Sequence, residues 1–166
     1  MSSSEGSTVT FRRVPAGVKP VAIERFARKL KSEVARGRSF DCLISGDAEL
    51  RRLNRDFRGK DEPTDVLSFP SLVAQALPPA KVGQALPPAN PRAPLGDIAI
   101  SSVRARAQAR QFGHSLETEI RILMLHGVLH LIGMDHAADS GRMARAEKRW
   151  RARLGLPTGL IERVQS

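Results

Sequence analysis

Several residue types and patterns are scarce in this sequence, and each shortage narrows the class of protein. A single cysteine, Cys42, excludes an intrachain disulfide, and the lack of a disulfide framework is typical of a reducing cytoplasm. Tyrosine is absent and aromatic residues make up only 4% of the chain, so aliphatic side chains must form most of the core. The longest apolar run, 120–132, is interrupted by Arg121 and His126 and is too short to span a bilayer. We therefore expect a soluble protein without a membrane segment.

Acidic residues are in the minority. Lys and Arg outnumber Asp and Glu by 27 to 17, which gives a net charge of +10. This excess favours a polyanionic partner, with nucleic acid ahead of an anionic membrane surface. The N-terminus lacks the basic and apolar regions of a secretory signal, so a cytoplasmic location is expected.

The 166 residues are enough for one domain with a sizeable core. We assign 9–157 to a single catalytic domain, 1–8 to a disordered N-terminus and 158–166 to a C-terminal tail. At about 71–94 the domain contains two exact copies of Gln-Ala-Leu-Pro-Pro-Ala, within near copies at 73–80 and 82–89. Proline cannot donate a backbone hydrogen bond in a sheet, so we interpret this segment as a flexible polyproline-like loop inserted in a hairpin. A docking ligand for a proline-binding domain is the alternative.

Hydrophobic periodicity predicts four strands and about five helices. The strands are expected near 9–14, 40–44, 64–69 and 95–100, and the helices near 21–35, 47–57, 101–112, 115–132 and 139–154. Ser101 or Ser102, Ser115, and Asp139 or Ser140 are the expected N-caps of the last three helices. In the third helix, Val103, Ala107 and Gln111 are predicted to lie on one side, with Arg104, Arg106 and Arg110 elsewhere.

Three of the four histidines lie in one short segment. If the preceding apolar run is helical, His126 and His130 are about 40° apart around the axis and face the same way. Gly133 then permits a positive φ at the helix end, and the chain can return His136 to the other two. Three imidazoles suit Zn²⁺ and leave one tetrahedral position open for water. A metal-bound water is therefore a candidate nucleophile, whereas ordinary buried histidines are the alternative.

The spacing of these histidines and of Gly133 matches the metzincin protease pattern. Gly127 stands where those enzymes place the glutamate that acts as general base. Because the metal geometry matches and the peptidase base is missing, a zinc peptidase or amidohydrolase is only an alternative function.

Several separate segments together resemble the YbeY-type endoribonucleases, which mature ribosomal RNA in bacteria. The similarity extends from about residue 40 to 156, apart from the Pro-rich segment. Its hallmarks are the segments 53–60, 63–70, 96–100, 112–115 and 126–136. The departures are the Pro-rich segment and Met134, where an aromatic residue is common in the family.

This resemblance implies an α/β (α+β) domain with a small mixed sheet flanked by helices. It also implies one Zn²⁺ per chain, held by His126, His130 and His136 on and after a buried helix. Arg58 matches the family's functional arginine, which faces the RNA phosphate. The implied work is cytoplasmic cleavage of single-stranded RNA at the small ribosomal subunit, in 16S rRNA 3′-end maturation and ribosome quality control. A non-catalytic RNA-binding assembly factor with a structural metal is the alternative.

Other side chains are candidates by position and charge. Asp135 and Glu119 are candidates for orienting a metal-binding imidazole. Arg104, Arg145 and Arg149 are candidates for contacts to RNA phosphates, although a solvated arginine-rich face is the alternative. The sequence does not determine the oligomeric state.

Overall fold

The computed structural model describes residues 8–71, 93–134 and 140–157. They form one sheet of four strands, which in chain order are β1 (Thr8–Phe11), β2 (Phe40–Ser45), β3 (Val66–Pro70) and β4 (Gly96–Ser101). The described helices are α1 (Pro20–Glu33), α2 (Asp47–Arg58), α3 (Ser102–Phe112), α4 (Leu116–Leu131) and α5 (Arg142–Leu154). The expected α/β fold class is confirmed.

The strand order is β1-β2-β4-β3, with β3 at one edge. Strands β1, β2 and β4 are parallel neighbours, whereas β3 pairs with β4 in the antiparallel direction. The sheet is therefore mixed, as expected. The Pro-rich segment connects two antiparallel neighbours, but 72–92 lies outside the described residues, as do 1–7, 135–139 and 158–166. The inserted loop and the C-terminal tail therefore stay predictions. At the N-terminus, β1 begins at Thr8, which was the last residue of the segment predicted to be disordered.

The two faces of the sheet carry cores of different size. Side chains alternate between faces along a strand, so Cys42 and Ile98 face the main core with α1 and α4, whereas Ala99 faces the opposite side with Leu50 of α2. Helix α4 is apolar on nearly every side and is buried almost throughout, as expected for the central helix of a domain. No helix in the described ranges is long and apolar enough to cross a membrane.

The expected caps hold for α3 and α4. Ser101 Oγ accepts a hydrogen bond from the Arg104 backbone N–H, and Ser115 Oγ accepts one from the Thr118 N–H, each at 3.1 Å. The prediction for α5, Asp139 or Ser140, was wrong, because the N-cap is Gly141, which makes no side-chain hydrogen bond.

The buried face of α3 also differs from the prediction. Val103 is 56% exposed, whereas Ala105 and Ala109 are buried. The side predicted from the sequence carries Val103 and Ala107, but the packing buries the side with Ala105 and Ala109. Tertiary packing therefore decided which side of this helix faces inwards.

Candidate metal centre

Helix α4 lies close to the sheet at Gly127. A β-carbon built at this position would lie only 3.0 Å from both Cδ1 and Cγ2 of Ile98 in β4. On the same side of the sheet, Ser68 Oγ in β3 donates a hydrogen bond to the Gly127 carbonyl at 3.1 Å. Glycine thus permits a close helix–sheet contact, and a glutamate at 127 would require Ile98 to move.

His126 and His130 meet on one face of α4, as their spacing predicts. Their Nε2 atoms are 3.2 Å apart, and their ring planes are inclined by 74°. Two nitrogens bound to one Zn²⁺ at about 2.0–2.1 Å with tetrahedral geometry are about 3.3–3.4 Å apart. The separation of the two Nε2 atoms therefore fits a shared ion.

The end of α4 has the turn that the predicted third ligand requires. Gly133 has φ 99°, and its N–H donates to the His130 carbonyl at 3.0 Å. His136 and Asp135 lie outside the described residues, so the three-histidine ligand set stays a prediction. Among the residues that are described, no group of three or more His, Cys, Asp or Glu side chains is placed to hold a metal ion.

The carboxylate of Glu147 contacts His126, one member of the histidine pair, and this contact was not predicted from the sequence. Its Oε2 lies 2.8 Å from Nδ1 of His126, and the two residues are 1% and 6% exposed. The other ring nitrogen of His126, Nε2, faces His130. The available signal was the position of Glu147 four residues after buried Met143, because an acid on a buried stripe needs a polar partner.

Glu119 makes a second buried contact between a carboxylate and a histidine. Its Oε1 lies 2.6 Å from Nε2 of His114, the histidine outside the predicted ligand cluster. The structure thus places this carboxylate against an imidazole, but one that is not a predicted ligand. A role of Glu119 towards a metal-binding histidine stays a prediction.

Arg58 is the last residue of α2, and its side chain is exposed. The ring of the preceding Phe57 packs edge-on against Phe69 of β3, with centroids 5.4 Å apart. Phe69 follows Ser68, which contacts α4 from the opposite face of the sheet. The end of α2 and the histidine helix are thus anchored to adjacent residues of an edge strand.

The arginines proposed to bind RNA differ in their surroundings. Arg104 Nε lies 3.4 Å from Asp47 Oδ1, so a neighbouring carboxylate partly compensates its charge. Arg145 and Arg149 are exposed on α5, and Arg145 also donates to the Ser140 carbonyl. Arg145 and Arg149 of helix α5 are therefore more available for contacts to phosphates than Arg104 is.

Two aspartates lie side by side on the sheet face opposite α4. Asp41 and Asp97 are register partners in β2 and β4. Partial desolvation, and then the Asp41 charge, raise the pKa of Asp97 above its ordinary value. Burial, with a smaller contribution from Asp41, raises the pKa of Cys42 to about 12, so this residue is an inert core thiol, as expected.

The fold and the histidine pair define a class of protein: a mixed α/β domain whose buried central helix presents two imidazoles that can share an ion. A family model described as Endoribonuclease YbeY matches residues 16–155. The chain belongs to this family, and the resemblance inferred from the sequence motifs is confirmed.

Individual relatives agree with this membership. A protein named Endoribonuclease YbeY from Solibacter usitatus is 66% identical, covering 100% of both chains. Another of that name from Koribacter versatilis is 41% identical over 94% of this chain and 91% of its own. The solution structure of TM1509 from Thermotoga maritima has a TM-score of 0.52 and 26% identity, and it covers 87% of this chain and 85% of its own.

Proposed function

We propose that this protein is a zinc-dependent endoribonuclease that hydrolyses single-stranded ribosomal RNA. Its place of action is the cytoplasm, at the small ribosomal subunit, in maturation of the 16S rRNA 3′ end and in ribosome quality control. The observation that carries the proposal is the 3.2 Å separation of two imidazole Nε2 atoms in a chain of the endoribonuclease YbeY family.

The metal would be held by His126, His130 and His136, one ion per chain. When bound, the ion supplies Lewis acidity towards a phosphoryl oxygen and activates a water molecule. Imidazole donors suit Zn²⁺, and the buried position of α4 fixes the first two donors rigidly. The family resemblance supports His136 as the third.

Arg58 would contribute to catalysis by donating to the reacting phosphate. A guanidinium offers two parallel N–H donors to phosphate oxygens and stays charged throughout the reaction. Within the described part of the chain this side chain is exposed and has no hydrogen bond or ion pair. It is therefore available to a substrate.

The basic surface would bind the remainder of the RNA. Contacts between phosphates and Lys or Arg supply most of the sequence-independent affinity for nucleic acids. Helix α5 carries several basic side chains, namely Arg142, Arg145, Lys148, Arg149, Arg151 and Arg153. Its buried face bears Glu147, which contacts His126. This basic helix therefore packs next to the proposed metal site.

The direct test is to incubate zinc-loaded protein separately with single-stranded RNA, double-stranded RNA and casein. We expect fragments from single-stranded RNA alone, and a His126→Ala variant purified in parallel excludes a contaminating nuclease. Peptide fragments from casein would establish the peptidase alternative, which the tight packing of Gly127 on Ile98 disfavours. Binding of RNA without cleavage would instead indicate an assembly factor with a structural metal.

A further inference from the structure

Glu147 is a buried carboxylate for which the catalytic proposal above has no role. It is 1% exposed, and its Oε2 lies 2.8 Å from His126 Nδ1. A carboxylate removed from water needs hydrogen-bond donors, so this contact satisfies Glu147 itself. The same contact also has a consequence for the imidazole.

A neutral imidazole carries its proton on one of its two nitrogens, and the hydrogen bond of one nitrogen decides the state of the other. If Nδ1 donates to Glu147, Nε2 is the unprotonated nitrogen and carries a lone pair. This lone pair is directed towards the region shared with His130 Nε2, 3.2 Å away. In the opposite tautomer, the Nε2–H would occupy that region and exclude an ion.

We propose that Glu147 is a positioning residue, which accepts the Nδ1–H of His126 and so keeps Nε2 available to the metal shared with His130. The metal part of this inference rests on the proposed function. The tautomer part depends only on the contact between the two side chains.

The position of Glu147 on α5 makes the carboxylate rigid. Met143 and Ala146, on the same side of the helix, are buried in the main core. Because α5 packs through these residues against the core that contains α4, the carboxylate is held by helix packing. A rigid acceptor of this kind orients the ring as well as selecting its tautomer, and loss of such a partner typically weakens metal binding by about 10–100-fold.

The first experiment uses metal-free full-length protein and nitrogen-15 NMR of the histidine rings. We expect His126 to be protonated at Nδ1 in the wild type and to keep this tautomer in Glu147→Gln, whose amide oxygen also accepts. In Glu147→Leu, which has no acceptor, the proton should move to Nε2 in a large fraction of molecules. An unchanged tautomer in the leucine variant, or Nε2 protonation in the wild type, would overturn the proposal.

The second experiment measures zinc affinity by competition with a chelator. We expect Glu147→Leu to lose zinc affinity by about 10–100-fold, whereas Glu147→Gln, whose amide oxygen also accepts the Nδ1–H, should stay closer to the wild type. If the leucine variant does not fold, Glu147→Ala, which also lacks an acceptor, decides the result. Wild-type zinc affinity in the acceptor-free variant would overturn the metal part.

A matched variant separates positioning from a general effect of charge. Glu117→Gln removes one negative charge from α4 at a residue paired with Arg121. It should keep zinc affinity within about twofold of the wild type, well below the loss expected of an orienting partner. A loss in Glu117→Gln equal to that in Glu147→Leu would mean that the change of charge alone explains the effect of Glu147. If the wild type binds no zinc, the proposed function fails, while the tautomer measurement still decides the role of Glu147.

Discussion

Among single residues, Gly127 shows most directly how sequence limits chemistry at this site. It occupies the position that metzincins give to a catalytic glutamate, and the structure supplies a packing reason for glycine. The sheet lies so close that three side-chain carbons of Ile98 would lie within 3.2 Å of an added β-carbon. The same substitution that would create a peptidase base would therefore strain the core.

Gly127→Ala should destabilise the protein by about 1 kcal/mol. Overpacking in a dense core typically costs about 1–3 kcal/mol, and the better helix propensity of alanine offsets up to about 1 kcal/mol. Chemical denaturation measures the change. Ile98→Val removes the crowding Cδ1 atom, so the double variant should recover part of the loss, and a Gly127→Ala variant as stable as the wild type would contradict this account.

Asp97→Asn should stabilise the protein at neutral pH, by less than about 1 kcal/mol because solvent screens the exposed carboxyl. The folded-state pKa of Asp97 is raised by partial desolvation and by Asp41, so the native state holds its proton more tightly than the unfolded state. Its ionisation therefore costs stability as the pH rises above the unfolded pKa of about 4 and through the raised folded value. Melting curves at pH 3 and pH 7 check this. The advantage of the variant should vanish at pH 3, and a loss of stability at pH 7 would refute the argument.

Arg58→Ala should lose RNA cleavage by about a hundredfold or more, the scale seen when one transition-state donor is removed. It should keep its zinc and melting temperature, because the side chain is exposed at the end of α2. Single-turnover cleavage and elemental analysis measure the two properties. Arg58→Lys should recover only part of the rate, since an ammonium lacks the planar fork of donors.

A matched control for Arg58 is available one turn earlier in the same helix. Arg55 is also exposed and pairs with Asp56, so Arg55→Ala changes the net charge equally and should retain wild-type cleavage. Wild-type cleavage by Arg58→Ala would remove this residue from the mechanism.

At the scale of elements, α4 combines two roles, because it is both the central core helix and the carrier of the histidine pair. Its first turn has Ser115 as cap and Glu117 and Glu119 near the positive end of the helix dipole, which favours the helical state. Its last turn contains His130, and the helix ends two residues before Gly133. The donors are therefore placed by a helix that is buried almost throughout.

His130→Ala should lose the metal and also lower the melting temperature of the zinc-loaded protein. The reason is that an ion bound only by the folded state contributes its binding free energy to stability. Elemental analysis and thermal denaturation with and without chelator test this. The variant should melt like the chelator-treated wild type, and wild-type protein purified without chelator that contains no transition metal would disprove the zinc site.

On the scale of the whole molecule, the net charge of +10 should govern affinity for RNA. Binding to single-stranded RNA should weaken steeply with salt, because each phosphate contact releases counterions and adds about −0.7 to the slope of log K against log salt. Titrations at several salt concentrations measure this slope. An Arg145→Ala, Arg149→Ala double variant should flatten it by about 1.4. An affinity independent of salt would show that the basic faces are only solvated.

Local features of the protein could be predicted from sequence because they depend on residues close in the chain. The common face of His126 and His130 follows from helix periodicity, and the serine caps at 101 and 115 and the positive φ of Gly133 follow from local residue preferences. The spacing of the histidines around Gly133 also predicted His136. The family motifs added the α/β class with a mixed sheet, and they are the main basis for Arg58 as a site residue.

Only the tertiary structure decided which distant segments meet. Glu147 lies 21 residues from His126, and no local pattern relates an α5 carboxylate to one particular ring nitrogen. Phe57 is 68% exposed, and Ala105 is buried where Val103 is not. The hydrophobicity of the individual residues would predict the opposite. These outcomes depend on how whole helices pack on a sheet, where shape and available space outweigh the preference of any single side chain.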